Sequence, residues 1–250
     1  RVEFERLGFT VPPRGSHIQW GTGNLCIMFP DDYLEVRGII DASKFTMHLD
    51  THLEEHGEGL MGVAFGTDNV GVAYQQAAER GIQTGELRQL TRNFEHPDGW
   101  TQPRFELFAP DAADIEGLMH VVVIQHLTPE LLRRPEFLLH ANTCLGIRGM
   151  AGTVASIDRT ATKMRRLLGD AMVHSTEVGI ELLIGDQHIR LSAADGDAPR
   201  LESIQFTVES LDAARAVLAS ADVAFNEIEM NGVRTEAAGT VIDFVQAESG

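Results

Sequence analysis

Glu35 is the residue of this sequence whose placement demands a chemical explanation. It stands inside a strand-like run, Tyr33 to Val36, which follows an apolar run, Asn24 to Phe29, across a Pro30-Asp31-Asp32 turn. A carboxylate in such a run is costly if its face is buried unpaired, so Glu35 should meet water, a cation or a hydrogen-bond donor. So placed, it could ligate a metal ion or move a proton. His17, at the head of the same stretch, can exchange a proton near neutral pH. Trp20, Thr22 and Asn24 lie between the two, and Gly21 and Gly23 supply the dihedrals of a GTG turn in which Thr22 and Asn24 would satisfy backbone groups. Trp20, Tyr33 and Phe29 are candidates for the apolar walls of a cavity. The plainer reading of Glu35 is a solvated strand face, because half-buried strands alternate.

Three further groups bear chemistry. His48, His52 and His56 recur every four residues, so on a helix they share a face that can grip zinc or nickel, although HLEEH is not the metalloprotease order. They fall in a helical insertion at about 41–57, and a solvated helix face is the expectation there. Arg92 can bind a substrate carboxylate with two parallel bonds, and it precedes an apparent loop tip, His96-Pro97-Asp98-Gly99-Trp100. His120 precedes a strand bearing Gln125 and His126, of which alternation lets only one face a given side. Nucleophile elbows, CxxC pairs and dinucleotide fingerprints are lacking, so nucleophilic, zinc-finger and NAD chemistry find no support.

Composition narrows the partners. Across 250 residues, 37 acidic against 20 basic side chains give a formal charge of −17, which disfavours nucleic acid and anionic lipid. No apolar run approaches the roughly 18 residues of a membrane helix, and no signal peptide is visible. Cys26 and Cys144 lack metal or redox spacing and suit reduced thiols in the cytoplasm. The sequence opens on Arg1, which leaves room for a leader or an opening strand ahead of it.

The elements that must position these residues repeat. From Leu60 the order is strand, helix beginning at Thr67-Asp68, stop at Gly81, then strands to Leu127. From Gly149 it returns with a helix from Asp158 and a stop at Gly169, and from Leu201 with a helix from Ser210. Leu211, Ala214, Val217 and Leu218 share one face of that last helix, which should lie on a sheet. The N-terminal stretch fits the same template with its first strand missing, its helix stopping at Gly8. Four βαβββ units result, an α+β class, and they should pair into two domains, 1–140 and 146–250, with Thr128 to Ile147 as linker.

The repeated unit, with LGFTV, H-x-x-x-GTGN and DYLE, resembles the vicinal oxygen chelate superfamily and its glyoxalase-like members, related to glyoxalase I, bleomycin-resistance proteins and extradiol dioxygenases. The resemblance covers essentially the whole chain, with its sharp motifs confined to residues 7–38. It implies paired units curled into cupped sheets around a ligand or a divalent metal (Zn, Ni, Mn, Mg or Fe). It also implies ligands on the first and last strands of each unit. Glu35 then falls on the carboxylate ligand position, and Gln125 or His126 on the closing strand of the second unit. Met61, Gly62 and Ala64 on that unit's opening strand are not usual ligands, and Ala151, Thr153, Ile204, Phe206, Asp243 and Phe244 in the second half form no ligand cluster. That half is expected to be structural, or a dimer or lid surface.

These readings converge on a small-molecule ligand in the first cup. As an enzyme the chain would be a metal-dependent lyase or isomerase acting on a vicinal-oxygen compound, with Glu35 and His17 moving protons and Trp20, Asn24, Tyr33, Arg92 and His120 contacting substrate. Ring-cleaving dioxygenation fits less well, because its two His and one carboxylate are not visibly supplied. The alternative is a metal-free sequestering protein of the bleomycin-resistance type, and a third reading is an interaction module whose acidic surface docks a basic partner. A homodimer fits each of them.

Overall fold

The computed structural model describes every residue except 18–19, 47, 97–98, 112–119, 196–198, 230 and 249–250. The loop tip expected around Pro97 and Asp98 therefore lies outside the described residues. The chain opens with α1 (Val2–Arg6), β1 (Gly15–His17), β2 (Thr22–Met28) and β3 (Tyr33–Ile39), then α2 (Leu49–His56). β4 (Gly62–Gly66), α3 (Val70–Glu79), β5 (Arg88–His96), β6 (Gly99–Thr101), β7 (Arg104–Phe108) and β8 (His120–His126) follow. The second half contains β9 (Cys144–Val154), α4 (Ile157–Leu168), β10 (Val173–Ser175), β11 (Gly179–Ile184) and β12 (Gln187–Ala193). It ends with β13 (Leu201–Val208), α5 (Leu211–Ser220), β14 (Asn226–Ile228), β15 (Gly232–Ala237) and β16 (Thr240–Gln246).

Two mixed sheets result. The first runs β3-β2-β1-β5-β7-β8-β4, with β6 paired to β5, and the second runs β10-β11-β12-β9-β13-β16-β15-β14. In three places the closing strand of a unit returns parallel to its opening strand, β8 beside β4, β12 beside β9 and β16 beside β13. Each parallel pair spans a helix, as parallel strands require. The second sheet joins its two units through their opening strands, β9 and β13, whereas the first joins them through β1 and β5. β3 and β4 are therefore the outer strands of the first sheet.

Helix boundaries follow local capping, with two corrections. The second unit's helix is capped by Asn69, whose side chain accepts from the Val72 N–H, rather than by Thr67 or Asp68. α4 is capped by Ser156 rather than Asp158, and α5 by Ser210 as its sequence predicts. A short oxygen-bearing side chain on extended backbone can reach the free N–H groups of the first turn, so neighbouring Thr, Asp, Asn and Ser compete for the role. Gly81 and Gly169 end α3 and α4 at φ of 81° and 100°, where a side chain would be strained.

The apolar cores cross from one half of the chain to the other. Phe4, Leu7, Phe9, Ile27 and Phe29 pack with Ile204, Phe206, Leu211, Leu218 and Phe244. Phe65, Val70, Phe108 and Val123 pack with Met164, Leu167, Leu182 and Leu191. Phe29, fully buried in the first of these cores, is thus no cavity wall. β2 alternates, and Phe29, just beyond it, takes the same face as Ile27 against the second half.

The segment between the sheets is fastened rather than free, and its last residues already belong to β9. His140 accepts from the Thr10 N–H at Nδ1 (3.0 Å), so its Nε2 carries the proton and donates to the Met28 carbonyl (3.0 Å). Asn142 donates to the Leu7 carbonyl and accepts from the Cys144 N–H. Asp32, in the β2–β3 turn, accepts from the Ile147 N–H (3.1 Å) and from Gln187 Nε2 (2.7 Å) across the junction.

Burial raises the Asp32 carboxyl to about 6, with Asp31 adding to the rise while the Ile147 N–H and Arg133 oppose it. A raised acid favours the folded state most at low pH. Its contribution is full below the ordinary carboxylate value and is lost as pH rises through about 6. Urea unfolding of wild type and Asp32→Asn across this range is expected to show the variant gaining stability relative to wild type between about pH 4 and 6.5. A flat difference would mean that Asp32 titrates normally.

Candidate functional site

Strand register decides which side chains share the concave face of the first sheet. Cys26 lies opposite Glu35, Asn24 opposite Arg37, and Met28 opposite Tyr33. His17 lies opposite Arg92, and Phe105 opposite His126. Curvature then brings distant strands together, since the Tyr33 ring on outer strand β3 stands 5.4 Å from the His126 ring on β8. One end of the cup is filled by Leu132 and Phe137, which pack with Met28, Phe94 and Phe105. The partly exposed polar groups lie elsewhere on the face.

A continuous polar floor runs across three strands. Arg92, 4% exposed, donates from Nη1 to Asn24 Oδ1 (2.7 Å) and to Cys26 Sγ (3.1 Å). Asn24 passes the interaction on, its Nδ2 donating to Glu35 Oε1 at 2.6 Å. The arrangement sets the amide, carbonyl toward the guanidinium and amino group toward the carboxylate. Arg37 Nη2 meets the other carboxylate oxygen at 3.3 Å. The guanidinium of Arg92 also stands 5.5 Å and 5.8 Å from the rings of Phe94 and Phe105, a cation–π setting.

This floor keeps Glu35 ionised. Burial works against the charge, but Arg37, the Asn24 amide, Arg92 and His17 together hold its carboxyl below the usual value. His17 hydrogen-bonds Thr22 Oγ1 through Nδ1 at 2.8 Å and stands 5.2 Å from the Trp20 ring. Its burial, with help from Arg37 and Arg92, lowers its pKa against the pull of Glu35. His126 is pushed to about 4, chiefly by burial and further by Arg133 and Arg92, and its Nδ1 is buried without a hydrogen-bond partner. The phenol of Tyr33 is driven upward by burial and by Glu35, so it stays protonated.

The ligand set expected for a metal is not assembled. Gln125 lies on the opposite face of β8, where Oε1 accepts from the Val70 N–H (3.1 Å) and Nε2 donates to the Asp68 carbonyl (2.7 Å). It is a clasp for the start of α3, a correction that strand alternation explains. Among the described residues, no three His, Cys, Asp or Glu side chains come together as a metal site. The groups that meet Glu35 are the nitrogens of an amide and a guanidinium, which are not metal ligands, so the residues present do not fit a divalent cation.

Other expectations are redistributed. Glu35, His17, Asn24, Tyr33, Arg92 and His126 share the cup, and His120 lies on the same face at the start of β8, opposite Gly62 of β4. Arg92 is spent on the floor, not free on a loop. Of the histidine run, His48 and His56 are exposed, as a solvated face requires, while His52 is buried at 8% exposure. His48 precedes α2 in a left-handed conformation, while His56 stacks on His52. Arg37 was not singled out, although its spacing of two from Glu35 puts both on one face.

A pair of mixed sheets, one curled over a charged floor and both built from strand-helix-strand units, defines the α+β class of cupped-sheet proteins. The glyoxalase-like domain model matches residues 1–168, and the chain belongs to that family, within the vicinal oxygen chelate superfamily. No curated protein matches the sequence. A hypothetical protein from Staphylococcus aureus is similar at TM-score 0.73 and 11% identity, covering 96% of this chain and 91% of that one. A mutant of 4-hydroxymandelate synthase from Streptomyces coelicolor is similar at TM-score 0.63 and 13% identity, over 100% of this chain and 90% of that one. A xylose isomerase-like TIM barrel/4-hydroxyphenylpyruvate dioxygenase fusion protein is similar at TM-score 0.57 and 13% identity, over 99% of this chain and 46% of that one. These likenesses establish the fold. Among the described residues no helix is long and apolar enough to cross a membrane.

Proposed function

We propose that the chain binds a small organic molecule in the first cup without a resident metal, in the manner of the sequestering members of the superfamily. The supporting observation is that Glu35 is balanced by Arg37 and Asn24, with Arg92 behind them, and not by further metal ligands. A carboxylate so held is an oriented acceptor for a ligand hydroxyl or amine, and the partly exposed Leu90, Leu107 and Val122 offer apolar wall. The metal-dependent lyase or isomerase reading would need ligands that the described residues do not bring to Glu35.

Elemental analysis of the purified protein, paired with a thermal-shift screen of small organic molecules with and without EDTA, tests this reading. The expected result is no stoichiometric metal and a ligand-induced shift in Tm that EDTA leaves unchanged. Stoichiometric metal that disappears in Glu35→Ala would overturn it in favour of the metal enzyme.

A further inference from the structure

We propose that Arg37, His52 and His120 form a subsite that recognises the carboxylate of an organic acid held in the first cup. The inference rests on the binding reading above and specifies the ligand's chemistry. It starts from a helix that buries the wrong kind of residue. α2 is mostly exposed, yet it buries His52 beside Leu49, and the Nδ1 of His52 has no hydrogen-bond partner. An unpartnered buried imidazole nitrogen costs stability, so packing alone does not account for it. α2 packs against β3, the strand that carries Arg37.

Arg37 has spare capacity of the same kind. Its Nη2 makes a long contact to Glu35, and its Nε is buried with no hydrogen-bond partner. His120 joins from β8, at a point where Gly62 keeps the neighbouring strand close, since a side chain there would collide with the His120 carbonyl. β3 and β8 run antiparallel and meet across the cup at Tyr33 and His126, so Arg37, further along β3, and His120, further back along β8, lie toward the same end of it. Burial lowers the His120 pKa, and Arg37, His52 and His48 act in the same direction. A neutral imidazole still offers one N–H donor.

The charge balance identifies what is missing. On the described strands of this face Glu35 is the only acidic side chain, and it has to serve both Arg37 and Arg92, while Asp50, Glu54 and Glu55 of α2 are exposed to solvent. At least one guanidinium charge is left over, inside a chain whose formal charge is −17. An anion fills that deficit, and a guanidinium with imidazole donors suits the planar oxygens of a carboxylate. The adjoining apolar wall of Leu90, Leu107 and Val122 suits the hydrocarbon body of an acid better than a small inorganic ion.

The test titrates the full chain by NMR and calorimetry with benzoate, phenylacetate and hexanoate, each beside its primary amide. At least one acid is expected to bind about tenfold or more tightly than its amide. Arg37→Gln is expected to cost that acid about tenfold while leaving the amide within about twofold. His120→Gln, at the rim, gives an independent loss should Arg37→Gln fail to fold. Equal binding of acid and amide, unmoved by either variant, would overturn the carboxylate subsite and leave the binding cup standing. Binding by none of the six compounds would overturn the subsite, while the broader screen above still decides whether the cup binds anything.

Discussion

Phe9→Ala is expected to lower the unfolding free energy by about 3–5 kcal/mol, measured by urea or guanidinium denaturation. Phe9 is 3% exposed and lies outside every strand and helix, so its effect would come from packing alone. Its ring stands 6.3 Å from Phe4, 6.2 Å from Phe29 and 5.7 Å from His140. It also stands 5.1 Å from Phe206 and 5.8 Å from Phe244, both on strands of the second sheet. Removing it opens a cavity where α1, the back of the first sheet and the second sheet meet, and rings anchored on two sheets cannot easily collapse into it. A single transition shifted as a whole is the expected form, because the core is shared. A loss under about 1 kcal/mol, or a new intermediate in which only one half unfolds, would show that the two halves do not depend on this junction.

Arg92→Met is expected to cost about 2–4 kcal/mol and to change how stability depends on pH. Methionine keeps most of the stem between Phe94 and Phe105 but removes the donor to Asn24 and Cys26, leaving the floor one positive charge poorer. Glu35 is the group that reports this. Its folded carboxyl is held low, so its ionised form contributes stability that is present above the ordinary carboxylate range and lost as pH falls through the folded value. Without Arg92 that folded value moves up toward the unfolded one, so the variant has less of this stability to lose on acidification. Denaturation of wild type and Arg92→Met between pH 3 and 7 should therefore give a difference that is largest near neutral pH, narrows as the solution is acidified and levels off once Glu35 is protonated in both. A pH-independent difference would mean that Arg92 acts on packing and not on the charge of Glu35.

Much of the architecture was legible because it depends on nearest neighbours in the sequence. The strand-helix-strand order, the glycine stops at Gly81 and Gly169 and the cap at Ser210 follow from hydrophobic period and local backbone preference. The family motifs around Glu35 were legible for the same reason, being contiguous. Spacing of two along β3 already placed Tyr33 and Glu35 on one face. It did not reveal which face was concave, because that depends on which side of the sheet the second half of the chain covers.

Tertiary structure made the remaining decisions. Gln125 and His126 are equivalent candidates in the sequence until the start of α3 claims the amide of Gln125 and the ring contacts of Tyr33 and Phe105 enclose His126. Arg92 resembles a loop-side substrate contact until β5 turns it beneath Asn24. His52 has helical spacing suited to a solvated face until α2 packs against β3 and buries it. In each case the partner lies on another strand or helix, and a local pattern holds no information about it. The sequence by itself thus determined the class, the repeated unit and the strand carrying the central carboxylate. Only the folded chain decided that this carboxylate is answered by arginine and asparagine, because curvature and long-range packing choose a half-buried charge's partners.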